Sequence, residues 1–244
     1  LNVVNETSRL KAVVLGIAQS NGPTPNAAAC YDPSSLMHVK AGTYPLEPQM
    51  LKELSALEAV FKRYNVTVFR PHIIPDCNQI FARDVAFVIE DKIIKSNILP
   101  DRENEFSAMS HILEQIDSRK IIELPEECHI EGGDVILFND YLFAGVYTGP
   151  DYSNFITART NQKAIDALKS LFPHKTLKTF ELKKSNTEPQ ENALHLDCCF
   201  QPIGQGKVLI HKAGFLNPLD CQFLENLFGK ENLFQASKKE MAAM

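Results

Sequence analysis

Ala193-Leu194-His195-Leu196-Asp197-Cys198-Cys199-Phe200 is the stretch on which the reading of the whole chain turns. An imidazole and a carboxylate stand two residues apart in an apolar run. In a β-strand, residues i and i+2 point to the same face. Read as a strand, the run presents His195 and Asp197 side by side and turns Leu194 and Leu196 the other way. A base and an acid offered together from one strand can form a reaction centre, or simply a solvated pair on a half-exposed strand.

Two earlier segments share this design. Asn78-Gln79-Ile80-Phe81-Ala82-Arg83-Asp84 leads into the apolar run Val85–Ile89, and Glu131-Gly132-Gly133-Asp134 leads into Val135–Phe138. Both runs are short, β-branched and closed by turn residues, Glu90-Asp91 and Asn139-Asp140, so they read as buried strands with hairpins. Helical spacing follows at 47–64 (Leu51, Leu54, Leu57, Phe61, Tyr64 as the inward stripe), at 101–118, at 160–172 and at 218–228. Residues 20–48, rich in Pro, Asn, Ser and Gly, read as a long loop. The order strand, polar loop, buried strand, hairpin, strand, helix recurs about four times at roughly fifty-residue spacing, which points to stacked or radially arranged units.

The 244 residues carry a net charge of −5 and a 44% hydrophobic fraction. A real core can form, residues 1–244 read as a single domain, and no basic block suggests a nucleic-acid surface. The six cysteines stand at 30, 77, 128, 198, 199 and 221, without a C-x-x-C pair. No signal peptide is visible, and no apolar run approaches the ~20 residues of a membrane span. A cytoplasmic protein with reduced thiols is the simplest reading.

Carboxylates converging from several strands repel one another unless a cation lies between them. Asp84, Glu131, Asp134 and Asp197 offer oxygen ligands for Mg or Ca, but no His/Cys array with metal spacing accompanies them. An organic cation fits better. A guanidinium presents five planar N–H donors, and two aspartates would fix its plane and leave its carbon open to attack. Attack there needs a thiolate and a proton donor, for which His195, oriented by a carboxylate such as Glu131, is suited.

Asn78-x-x-Phe81-x-Arg83-Asp84, Glu131-Gly132-Gly133-Asp134 and His195-x-Asp197, in that order, resemble the guanidino-group-modifying superfamily of arginine deiminases, dimethylarginine dimethylaminohydrolases and amidinotransferases. The opening Asn5-Glu6 with Leu10–Gly16, and the stretch from His195 through Gly204-x-Gly206, are similar to the amidinotransferase branch in particular. The resemblance implies an α/β fold, the pentein five-bladed α/β propeller of ββαβ-type units, whose fifth unit is largely missing from this chain. It implies Asp84 and Asp197 as guanidinium-binding residues and His195 as the catalytic histidine. Glu131 matches the acid that orients the histidine in the deiminase branch, and Asp134 the corresponding acid in the amidinotransferase branch. Asn78 and Arg159 match residues that grip a substrate's α-carboxylate. The family's nucleophilic cysteine lies in the fifth unit, so it is expected beyond Met244, and the chain is expected to be incomplete at its C-terminus. The implied activity is hydrolysis or amidino transfer on arginine or an arginine-like compound through a cysteine thiouronium intermediate. A small guanidino substrate, no cofactor, no nucleic acid and no membrane follow, and homo-oligomerisation is left open. The rival readings are a catalytically inactive guanidine-binding protein and a divalent-metal hydrolase built on the acidic cluster.

Overall fold

The computed structural model describes residues 1–150, 155–237 and 240. Its strands lie in four small sheets that follow one another along the chain. In the first, β1 (Ala12–Val14) pairs in parallel with β2 (Thr67–Phe69). The other three share one connectivity. β3 (Ala86–Ile89) and β4 (Lys92–Lys95) form an antiparallel hairpin, and β5 (Ile121–Glu123) joins β4 in parallel. β6 (Val135–Phe138) and β7 (Tyr141–Val146) repeat the hairpin, with β8 (Thr176–Glu181) parallel to β7. β9 (Phe200–Gly204) and β10 (Lys207–Ile210) do so again, with β11 (Leu233–Gln235) parallel to β10. A parallel third strand needs a crossover, which helices supply. The result is three ββαβ units preceded by the β1–β2 pair.

Between β1 and β2 run α1 (Pro33–Ala41) and α2 (Glu47–Arg63). α1 is a departure from the long loop expected over 20–48. Asp32 accepts from the Ser35 N–H at 2.9 Å, Pro33 opens the first turn, and Gly42 closes the helix at φ 69°. α2 forms where the apolar spacing predicts it. Its stripe is not inward, however: Leu51, Leu57 and Tyr64 are exposed, Leu54 and Phe61 half-buried, and Met50 is the buried residue.

α3 (Ala82–Val85) precedes β3. The predicted helix over 101–118 is broken into α4 (Asn104–Ser107), α5 (Ser110–Leu113) and flanking 3-10 turns. The Met109 N–H bonds Phe106 O, and the Ile112 N–H bonds Met109 O, both i to i−3. This tighter winding still drives Met109 and Ile112 into a cluster with Val85 and Ile98. α6 (Gln162–Leu171), capped by Asn161, and α7 (Pro218–Phe228), capped by Asn217, form as predicted.

The sheet of β6 and β7 is apolar on both faces and therefore sits between two cores. Ile136 and Phe143 face the unit of β9–β11, where Phe143 meets Phe200 edge-on at 5.4 Å between ring centres. Val135, Leu137 and Leu142 face the β3–β4 hairpin, clustering with its Ile89 and Ile94 and with Leu168 of α6. No helix among the described residues is long and apolar enough to cross a membrane.

Candidate active site

The stretch from His195 to Phe200 is not a strand throughout. His195 is extended (φ −133°, ψ 171°) and caps a 3-10 turn, Leu196–Cys198; β9 begins only at Phe200. The same device precedes the first strand of each of the three units. Asp84 lies in the single turn of α3, Asp134 in a 3-10 turn at Gly132–Asp134, and Asp197 in the turn Leu196–Cys198. A helical turn, rather than strand alternation, aims each acidic side chain.

His195 is 4% exposed, and its Nε2 stands 2.7 Å from Glu131 Oε2. Glu131 is fully buried, and Arg159 Nη1 donates to both its oxygens at 3.0 Å. On the other side of the ring, His195 Nδ1 lies 3.8 Å from Asp84 Oδ1. Gly133 makes the close packing feasible, since a Cβ there would stand 2.7 Å from His195 Cγ and 2.8 Å from Nδ1.

Electrostatics follow from this burial. Desolvation opposes charge on His195, but Asp84, a hydrogen bond with Cys198 and Glu131 outweigh it and hold its pKa well above the ordinary value. Burial likewise opposes ionisation of Glu131. The hydrogen bond with His195 and the charge of Arg159 overcome it and bring its pKa down to about 2. The pair is therefore an imidazolium against a carboxylate. Asp197 is shifted the other way, raised chiefly by burial despite His195 and Arg83.

Asp84, Glu131, His195 and Asp197 come together as expected. Asp134 adjoins them in a supporting place, its Oδ1 accepting the Leu196 N–H at 2.9 Å and its Oδ2 the Thr160 hydroxyl at 2.7 Å. It thus anchors the turn that carries Asp197, while Glu131 is the acid on the histidine. Arg159 donates to Glu131, Ile156 O and Tyr31 O. Asn78 Oδ1 accepts the Ile80 N–H at 3.2 Å within its own turn, beside the Tyr44 hydroxyl.

Three participants escaped sequence reasoning. Arg102 donates from Nη1 to Asp84 Oδ2 at 3.0 Å and is held by buried Glu105 through Nε at 2.8 Å and Nη2 at 3.1 Å. Arg83 reaches Asp197 Oδ2 at 3.3 Å and Glu6 at 3.4 Å, so it pairs across units rather than with its neighbour Asp84. Cys198 brings its Sγ to 3.7 Å from Asp197 Oδ1, and a donor atom of His195 lies within 4.8 Å of both. Each aspartate thus has Oδ2 on an arginine and Oδ1 turned toward the imidazole or the thiol. Arg83 and Cys198, adjacent to Asp84 and Asp197 in the quoted stretches, carried a sequence signal, and Arg102 carried none.

Several known proteins resemble the chain in fold. The N-terminal domain of ArgZ, an arginine dihydrolase from the ornithine–ammonia cycle in cyanobacteria, superposes with a TM-score of 0.73 at 16% identity, covering 96% of this chain and 77% of that one. SxtG, an amidinotransferase from Microseira wollei in the saxitoxin biosynthetic pathway, gives 0.69 at 17% identity over 97% and 76%. The Pseudomonas aeruginosa DDAH complexed with citrulline gives 0.67 at 13% identity over 96% and 78%. These likenesses show the fold. The uncharacterized protein YkgA of Bacillus subtilis (strain 168) is 30% identical over 136 residues, 54% of this chain and 40% of that protein. The family profile of arginine deiminase matches residues 18–224, and the chain belongs to that family, within the guanidino-group-modifying pentein superfamily.

Proposed function

We propose that the chain modifies the guanidino group of arginine or an arginine-like small molecule through a covalent thiouronium intermediate. The observation that carries this reading is the buried His195–Glu131 pair flanked by Asp84 and Asp197, whose Oδ1 atoms are directed to the imidazole and thiol side. A planar cation between those oxygens donates charge-assisted hydrogen bonds to them from its N–H groups and exposes its carbon to a thiolate.

The thiolate adds to the guanidinium carbon, and the protonated His195 gives its proton to the departing amine as the C–N bond breaks. The neutral imidazole then takes a proton from water or from an acceptor amine, which attacks the thiouronium carbon and expels the thiolate. Water yields a ureido product, and an amine yields a transferred amidino group. Glu131 keeps the imidazole oriented and favours its charged form; Arg159 keeps Glu131 ionised and acts as a positioning residue. Asn78, on the segment leading to Asp84, is assigned to the far end of the substrate. The nucleophilic thiol is assigned to a cysteine, and Cys198, beside Asp197 and His195, is the candidate within the chain. The five-bladed propeller is the proposed architecture, supported by three consecutive ββαβ units. The six unpaired cysteines support a reducing, cytoplasmic setting.

The test is to assay ammonia, ureido and amidino-transfer products from arginine and its analogues. Asp84→Asn should lower turnover per substrate about tenfold to a hundredfold, the effect of losing one charge-assisted hydrogen bond. Cys198→Ser locates the thiol: full activity places it elsewhere, and abolished activity places it at Cys198. Unaltered kinetics in both Asp84→Asn and Asp197→Asn would overturn the guanidinium clamp.

A further inference from the structure

The backbone of His195 is held on both sides, and one of the two holders has no part in the chemistry above. Lys184 follows the end of β8, and its Nζ donates to Ala193 O at 2.9 Å and to Leu194 O at 2.8 Å. A regular strand alternates with a period of two, so consecutive carbonyls point opposite ways. One ammonium reaches two in a row only where the chain bends, and it bends at Leu194 and His195. An ammonium, with three rotatable N–H donors and no acceptor, suits two converging carbonyls. Just past the histidine, Asp134 Oδ1 accepts the Leu196 N–H at 2.9 Å. The lysine thus fixes the peptide groups that enter His195, and the aspartate fixes the one that leaves it.

We propose that Lys184 is a positioning residue for His195, keeping the imidazole on Glu131 and within reach of the departing amine. This rests on the reading of His195 as the proton donor. A ring held only through Nε2, 2.7 Å from Glu131, is free to pivot about that bond. Holding the backbone as well fixes Nδ1, which lies 3.8 Å from Asp84 Oδ1. The lysine is firmly mounted for this purpose. The Lys183 N–H bonds Gly214 O at 2.9 Å, and Lys183 O accepts the Ala193 N–H at 2.9 Å, which closes the loop 184–192 at its base. Within that loop the Ser185 N–H bonds Asn192 Oδ1 at 3.2 Å. Burial pushes the pKa of Lys184 down, against the attraction of Asp134, so the amine is set in the interior beside the site and not in bulk water.

The experiment compares the wild-type protein with Lys184→Met by steady-state kinetics on arginine and its analogues and by NMR titration of His195. Turnover should fall about tenfold to a hundredfold, the effect of a displacement of roughly 1 Å at a reacting group. KM should change less than about threefold, because Asp84 and Asp197 still meet the substrate. The titration separates position from charge. Loss of a nearby positive charge alone would raise the pKa of His195, whereas a ring slipping from Glu131 and Asp84 falls back toward its ordinary 6.5. A downward shift is expected. The titration needs no substrate, so a wild-type protein that turns over no guanidino compound ends the reading of the activity and leaves the titration to decide the role of Lys184. Lys184→Gln, whose amide donor stops short of the carbonyls, repeats both measurements if Lys184→Met does not fold, with circular dichroism as the check. An unchanged or raised His195 pKa, turnover unaffected by the substitution, or a loss confined to KM would overturn the assignment. Failure of both variants to fold would do so too, since it would make Lys184 a residue of the fold and not of the histidine.

Discussion

At the scale of the residue, the organising fact is that every buried acid in the site has a fixed partner. Arg102 is the most heavily engaged: Glu105 holds it side-on, Asp84 end-on, and Phe81 O takes a further Nη2 bond at 3.2 Å. Glu105 is 3% exposed, and burial raises its pKa even against the arginine. Removing the arginine alone would leave an uncompensated carboxylate in the interior, a change that costs about 3–5 kcal/mol. Arg102→Gln should therefore lower the urea midpoint sharply. Arg102→Gln combined with Glu105→Gln should recover a large part of the loss, because the stranded charge is gone. Chemical denaturation of the two variants measures this coupling. Additive losses would mean that Arg102 stabilises the fold through Asp84 and not through Glu105.

At the scale of the element, one short motif recurs, a helical turn that delivers an aspartate immediately before the first strand of a unit. Its spatial demands are visible at the glycines. A Cβ at Gly132 would meet Arg83 O at 2.1 Å, and one at Gly133 would press on the His195 ring. Gly133→Ala should push the imidazole off Glu131, lowering activity more than tenfold and stability by about 1–3 kcal/mol, the range for overpacking a filled interior. Gly42→Ala, with no atom within 4 Å but φ at 69°, should cost only roughly 1 kcal/mol and leave activity intact. An active, unshifted Gly133→Ala would show that the ring has room to relocate. The same scale explains what was readable in the chain. The strands were, because Val85–Ile89 and Val135–Phe138 are apolar runs ended by turn residues. So were Asp84, Glu131, His195 and Asp197 as candidates, because each stands at the mouth of such a run. The turns were not, since three or four residues hold no measurable period; alternation alone made His195–Phe200 look like a strand. Arg102 was hidden for a different reason. It lies on the 3-10 turn after β4 and reaches Asp84 through space, and nothing local distinguishes it from a surface arginine.

At the scale of the whole molecule, the buried charges set how stability responds to pH, and their signs differ. Glu131 falls from an ordinary 4.5 to about 2 in the folded chain, so the stability it contributes is complete above about 4.5 and is lost as pH falls toward 2. His195 rises well above its ordinary 6.5, so its contribution is complete below about 6.5 and is lost as pH rises through the folded value. Glu105 and Asp197 are raised, chiefly by burial, and so take up protons more readily folded than unfolded; acid relieves them and blunts the loss from Glu131. The exposed pairs, such as Lys62 with Glu58 and Arg119 with Asp117, are screened by water and add little. The expected profile is a plateau between roughly pH 4.5 and 6.5, a shallow acid limb below it and an alkaline limb set by His195. Glu131→Gln isolates the cause. Without the lowered carboxylate of Glu131, the acid limb should flatten or invert as Glu105 and Asp197 dominate. Without its carboxylate partner, His195 should titrate at lower pH and bring the alkaline limb down with it. Urea unfolding across the pH range, with the His195 titration followed by NMR in both proteins, measures the two shifts together. An acid limb of unchanged steepness in Glu131→Gln would place the titrating group outside the site.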